Sequence, residues 1–314
     1  MKNNSSFFPS TAYGAVTSAL LLSSSLLTTA PIVSAEEAVA TEEEAAPAST
    51  FTGHLDWTTK YILRGVSETY GNARPGLGNE GADAPESDDP AVQWGVDYLH
   101  ASGWYVGYWA SQINYSYKQL GKSYGDRSIT DFQKDKSIEN DLYGGYSGKA
   151  GDFTYTAGVT GYYYYNSEHS NAFETKLGLA YGQFGVYAQT LLSDTVWGNE
   201  GDTYWTAVFT QPLPDNITLT ATLGYYTYTK EGRYLGTRDT DQHVDCAAGE
   251  AFVVNGCYAG NGPSNGGFRH LIVGITQPIA DTGLVWGVQG LLEGENRFGI
   301  RQNGAVVGTI SYTF

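Results

Sequence analysis

The sequence predicts an all-β protein: a transmembrane antiparallel up-and-down β-barrel of about twelve strands, closed by pairing of the first strand with the last. Three observations lead there. Segments of about ten residues alternate apolar and polar side chains with a period of two, the signature of half-buried strands. The connections between them alternate strictly, long or medium and then tight. The chain stops on a strand whose apolar parity is Ile310, Tyr312 and Phe314. Membrane-crossing strands need about 9–11 residues at their usual tilt. Such barrels place short turns at one rim and longer loops at the other. A hydrophobic strand left at a sheet edge invites aggregation, and closing the ring removes the edge.

Composition agrees. The chain has 314 residues with 40 glycines, 25 tyrosines and 7 tryptophans, against 16% charged residues. That mixture suits tightly packed strands with interfacial aromatic girdles. Mean hydropathy is −0.30, because polar residues of one parity cancel apolar ones of the other. The formal charge of −16 argues against nucleic acid as a partner, which needs clustered Lys and Arg.

Residues 1–35 read as a cleaved signal peptide. Lys2 precedes a short apolar core from about Ala15 to Leu27, and Val33-Ser34-Ala35 fits a small-x-small cleavage site. Residues 36–50 are acidic, small and without periodicity, as expected of a disordered periplasmic lead-in. The barrel is expected to occupy residues 51–314. No cofactor or metal site is legible. The two cysteines, Cys246 and Cys257, lie close together in a Gly-rich stretch, and after export they are expected to form a loop disulfide.

The strands follow in order. From Phe51 to about Arg64, Leu55, Trp57, Tyr61 and Leu63 share one parity, and His54, Asp56, Lys60 and Arg64 share the other. A long acidic loop, residues 70–90, precedes Ala91–His100, which turns into Trp104–Tyr115. After a second long loop come Ile138–Ser147 and Phe153–Tyr165. Ala172–Tyr181 and Phe184–Leu192 are joined at Gly182-Gln183. Asp202–Gln211 turns through Pro212–Asn216 into Ile217–Thr229. The longest loop, residues 230–267, holds the cysteines. Phe268–Gln277, Leu284–Glu293 and the terminal strand complete the ring. Tyr162 to Tyr165, Tyr225-Tyr226 and Trp104-Tyr105 sit near strand ends, where girdles form.

The stretch Thr59-Lys60-Tyr61-Ile62-Leu63-Arg64-Gly65-Val66-Ser67-Glu68-Thr69 resembles the opening signature of the TorF family of porins. Val92 to Tyr98, Gly103 to Ser111 and Glu139 to Tyr146 resemble it further, and the likeness returns in the terminal strand. The acidic insert at 71–90 and an enlarged cysteine loop depart from the pattern. The resemblance implies a porin-like protein of the Gram-negative outer membrane. The ending apolar-x-Tyr-x-Phe resembles the assembly signal of outer-membrane barrels, so the expected partners are the barrel-assembly machinery, membrane lipid and lipopolysaccharide, and small hydrophilic solutes or ions.

Charged residues on polar strand parity are the candidates for a pore lining: His54, Asp56, Lys60, Arg64, Asp97, Glu139, Asp141, Glu174 and Lys176. A Lys or Arg at lipid mid-depth costs about 2–4 kcal/mol, so these should face the lumen. There they set ion selectivity, or they pair with one another and fill the interior. The five histidines, His54, His100, His169, His243 and His270, show no triad partners, and the chain is expected not to be an enzyme. The expected function is passive diffusion of small hydrophilic solutes or ions. The alternative is a non-conducting barrel whose outer loops bind a partner.

Overall fold

The computed structural model describes residues 48–66, 89–113, 118–123, 125–126, 136–239, 244–245, 256–257, 265–297 and 301–314. The stretch expected to be a signal peptide, nearly all of the acidic lead-in, most of the acidic loop and Cys246 lie outside them, so the expected pairing of Cys246 with Cys257 does too.

Twelve antiparallel strands form one closed barrel. They are β1 (Thr50–Thr58), β2 (Ala91–Leu99), β3 (Trp104–Ile113), β4 (Ser137–Ala150), β5 (Phe153–Tyr164), β6 (Ala172–Tyr181), β7 (Phe184–Leu191), β8 (Thr203–Pro212), β9 (Thr218–Thr227), β10 (Gly266–Pro278), β11 (Leu284–Glu293) and β12 (Ala305–Thr313). Each pairs with its sequence neighbours, and β1 closes the ring against β12. Among the described residues no helix is long and apolar enough to cross a membrane.

Period-two alternation decides the two faces. On the outside stand Leu142, Leu177, Val159, Val186, Val288 and Ile310, all more than 40% exposed. Such an apolar exterior, continuous around a ring, is stable only against lipid. At the tight-turn rim, Phe51, Trp104, Phe153, Tyr181, Phe184 and Phe314 form an outward aromatic belt. At the loop rim only alternate tyrosines join one. Tyr163, Tyr165 and Tyr225 face out, and Tyr162 and Tyr164 are buried inside.

The tight turns follow from their residues. Gly151 and Gly182 sit at φ of 61° and 55° in the two-residue links β4–β5 and β6–β7, a backbone region glycine enters without penalty. In the β8–β9 link the three-residue turn Pro214–Asn216 holds Asp215 and Asn216 at φ of 62° and 59°.

The closing seam has the expected partners. Leu55 lies opposite Tyr312, Trp57 opposite Ile310 and Asp56 opposite Ser311. Phe314 extends the ladder, its backbone exchanging hydrogen bonds of 2.9 and 3.0 Å with Gly53. Its ring lies over Gly53, where an added Cβ would come within 2.6 Å of it.

One boundary is corrected. The first strand ends at Thr58 and does not reach Arg64. Leu63–Gly65 forms a 3-10 turn in which Arg64 has φ 49° and Gly65 φ 77°. Both values lie outside the extended region, so the alternation Tyr61, Leu63 against Lys60, Arg64 does not belong to a strand. The chain leaves the wall here and turns inward.

Candidate functional site

The segment Tyr61–Val66 is a strap across the barrel interior. Tyr61 is 3% exposed and meets the Trp109 ring of β3 edge-on at 5.5 Å. Gly65 rests on His270 of β10, leaving 2.7 Å between its would-be Cβ and the His270 side chain. Arg64 reaches the wall opposite β1. Its guanidinium donates to both Glu174 carboxylate oxygens on β6, at 2.9 and 2.5 Å. It also donates to the hydroxyls of Tyr226 on β9, at 2.9 Å, and Tyr162 on β5, at 3.1 Å.

Tyr162 donates in turn to Glu174 at 2.9 Å. The Arg64 guanidinium carbon stands 4.7 Å from the centre of the Tyr204 ring, a cation–π distance. Arginine suits this place, because its planar fork satisfies carboxylate and hydroxyl acceptors together. A buried pair of this kind contributes little net stability, but breaking it leaves a charge without a partner and costs about 3–5 kcal/mol.

A second layer supports the strap. The β9–β10 register shifts between Phe268 and His270. This bulge lets two consecutive residues, Arg269 and His270, face inward, where they are 3% and 1% exposed. Arg269 Nε donates to the Arg64 carbonyl at 3.0 Å, and His270 Nε2 bonds the Tyr204 hydroxyl at 2.7 Å. Toward the loops, Arg297 pairs with Asp202 and lies 4.9 Å from the Tyr228 ring centre, which stacks on Tyr226. Asp202 also accepts from the backbone N–H groups of Asn199 and Thr229, both at 2.8 Å. Burial pushes the Asp202 carboxyl up, and Arg297 and those two amides act against it.

Of the nine candidate lining residues, eight lie inside. Asp56, Arg64, Glu139, Asp141, Glu174 and Lys176 are buried, and His54 and Asp97 are half-buried. Lys60 is exposed beyond the end of β1, so its assignment to a strand interior is corrected. Arg64 is inside by way of the strap. On the β1–β4 side, His54 Nδ1 meets Asp56 at 2.6 Å, Tyr143 donates to Asp97 at 2.5 Å and Tyr164 donates to Glu139 at 3.1 Å.

Sequence reasoning missed Asp202, Arg269, His270, Arg297 and the inward tyrosines Tyr162, Tyr204 and Tyr226. A signal existed for Arg269 and His270, because two adjacent polar residues at a strand start break the alternation as a bulge does. Among the described residues no group of three His, Cys, Asp or Glu side chains is placed to hold a metal ion.

An apolar ring outside, a charged interior, tight turns at one rim and long loops at the other define an outer-membrane-type β-barrel. The model of a bacterial protein family of unknown function, Gcw_chp, matches residues 80–261, and the chain belongs to that family. The TorF likeness holds only in this coarser form, a family of unknown function and a twelve-stranded barrel. None of the curated proteins matches the chain. Among solved structures it is similar to outer membrane phospholipase A from Escherichia coli, at 14% identity and a TM-score of 0.36, over 84% of this chain and 97% of that one. It is also similar to the outer membrane phospholipase of Salmonella typhi, at 14% identity and a TM-score of 0.34, over 82% and 89%. At these values the likeness says nothing of side chains. The expectation that the chain is not an enzyme is corrected by these matches. The solved barrels are those of an enzyme, and the architecture leaves no ground for that exclusion.

Proposed function

We propose that the protein is an outer-membrane channel through which small hydrophilic solutes or ions diffuse, with the strap as its narrowest point. One observation supports this above the rest. The closed barrel turns its charged side chains inward, and the segment Tyr61–Val66 folds into the space they enclose. A twelve-stranded ring falls between 8-stranded barrels filled by side chains and 16-stranded barrels with an aqueous channel, so what lies across the interior decides passage. Residues 1–35 act as the export signal. Phe314 at the seam is what the assembly machinery reads, membrane lipid and lipopolysaccharide meet the apolar exterior, and Cys246 and Cys257 pin the longest loop.

Planar-bilayer recording with the purified, refolded barrel tests this reading. Defined single-channel steps are the expected result. A barrel that shifts with heating on gels, as folded ones do, yet gives no steps in any salt would contradict it. The second reading, a non-conducting barrel whose loops bind a partner, is favoured by one fact: Arg64 and Glu174 are paired and buried. In that case the same recording stays silent.

A further inference from the structure

The two walls of the lumen differ in charge. Between the exposed Lys60 at the loop rim and the exposed Lys149 at the turn rim, the described charged side chains that face inward from β1–β4 are His54, Asp56, Asp97, Glu139 and Asp141. The facing wall has Lys176, Arg269 and His270 with Glu174, and the strap adds Arg64, whose guanidinium is occupied by Glu174. The β1–β4 wall therefore carries four carboxyl groups against one histidine, His54, which meets Asp56 at 2.6 Å.

A second observation on that wall does not depend on charge. Asp56 of β1 lies opposite Gln93 of β2, Gln93 opposite Ser111 of β3, and Ser111 opposite Glu139 of β4. These four polar side chains stand at one level and are 3%, 1%, 0% and 0% exposed. Gln93 gives its amide N–H to Ser111 at 3.2 Å. Among the described residues its carbonyl oxygen, Oε1, has no donor, and neither has Asp56 Oδ1. Buried acceptors are almost always satisfied, and an unsatisfied one costs about 1–3 kcal/mol. A neutral carbonyl and a carboxylate left over side by side, in a row that ends at Glu139, suit a positively charged ligand.

We propose that this row is a cation subsite of the lumen, and that a small monovalent cation is what the passage selects. The proposal rests on the channel reading and names its substrate class. Asp56 and Glu139 are three strands apart, about 14 Å along the wall at strand spacing. They are therefore not placed to converge on a dehydrated divalent ion, which needs a closed shell of oxygens. A partly hydrated monovalent ion, touching Gln93 Oε1 and one carboxylate at a time, fits the row.

The test is the unfolding temperature of the full-length barrel in detergent, in CsCl against N-methylglucamine chloride at equal ionic strength. Binding to the folded state alone raises the temperature with ligand concentration. An upward shift in CsCl is expected, lost in Asp56→Asn and in Gln93→Met and kept in Asp152→Asn, an exposed turn acid. If either lumen variant fails to fold, the other decides. No Cs⁺-specific shift, or a shift that survives both lumen substitutions, overturns the proposal. This readout needs no conductance. Absence of single-channel steps would defeat the channel reading and leave the subsite to stand or fall on the shift.

Discussion

Two consecutive pieces of chain, β1 and the strap that follows it, obey different physics. Over the last four residues of Thr50–Thr58 each side chain's surroundings follow from its parity. Leu55 and Trp57 face out, and Asp56 and Thr58 are buried. In Tyr61–Val66 parity means nothing. Tyr61 and Arg64 are both buried, and they are held by partners 48 and 110 positions away, Trp109 and Glu174. The wall is a local object, specified by a repeating pattern and a ladder of backbone bonds. The strap is a tertiary object, specified by a few polar contacts that exist only after the ring has closed.

If that contrast is right, damage to the wall should prevent the barrel from forming, whereas damage to the strap should spare the barrel and change its interior. The largest effect is expected at the seam. Deleting Phe314, or Phe314→Asp, removes the aromatic ring over Gly53, and the deletion also takes the end of the β1–β12 ladder. Heat-modifiable protein should disappear from the outer-membrane fraction, and normal amounts of it would refute the seam's importance.

Next comes Glu174→Gln, which leaves Arg64 charged and buried with only hydroxyl and amide partners. A loss of about 3–5 kcal/mol is expected in urea unfolding of the lipid-embedded barrel, which still assembles. Third is Leu142→Arg on the outer face of β4, where Leu142 is 65% exposed. It should cost about 2–4 kcal/mol if the residue lies at lipid mid-depth, and little if that face meets water. The smallest is Tyr204→Phe, which deletes the hydroxyl bonded to His270. About 1–3 kcal/mol is expected, because a buried His270 nitrogen loses its partner, again from urea titration.

The same contrast explains what was legible in the sequence. Ring closure, strand count and the two-faced wall could be read from residues such as Ile310, Tyr312 and Phe314, because parity is local. The inward placement of Asp56, Glu139, Asp141, Glu174 and Lys176 followed from it. The end of the first strand could not be read this way. Tyr61, Leu63 and Arg64 continue the alternation of β1 into a segment that bends inward, and only Gly65 hints at the turn. The partners of Arg64 were equally hidden. Tyr162 and Tyr226 each sit in a run of tyrosines that reads as a membrane girdle, and Glu174 is far away in sequence. The acid wall was half visible, as a list of carboxylates without the level that groups Asp56, Gln93, Ser111 and Glu139.

The bridge from Arg64 to Glu174 is the point on which the strap depends. A double-mutant cycle with Arg64→Met, Glu174→Met and the pair, read by urea unfolding in lipid, measures it directly. Each single change should cost about 3–5 kcal/mol, and the double change should fall short of their sum by a coupling of about 2–3 kcal/mol. Costs that add to within about 0.5 kcal/mol would mean that Arg64 and Glu174 do not meet, and that no strap crosses the barrel.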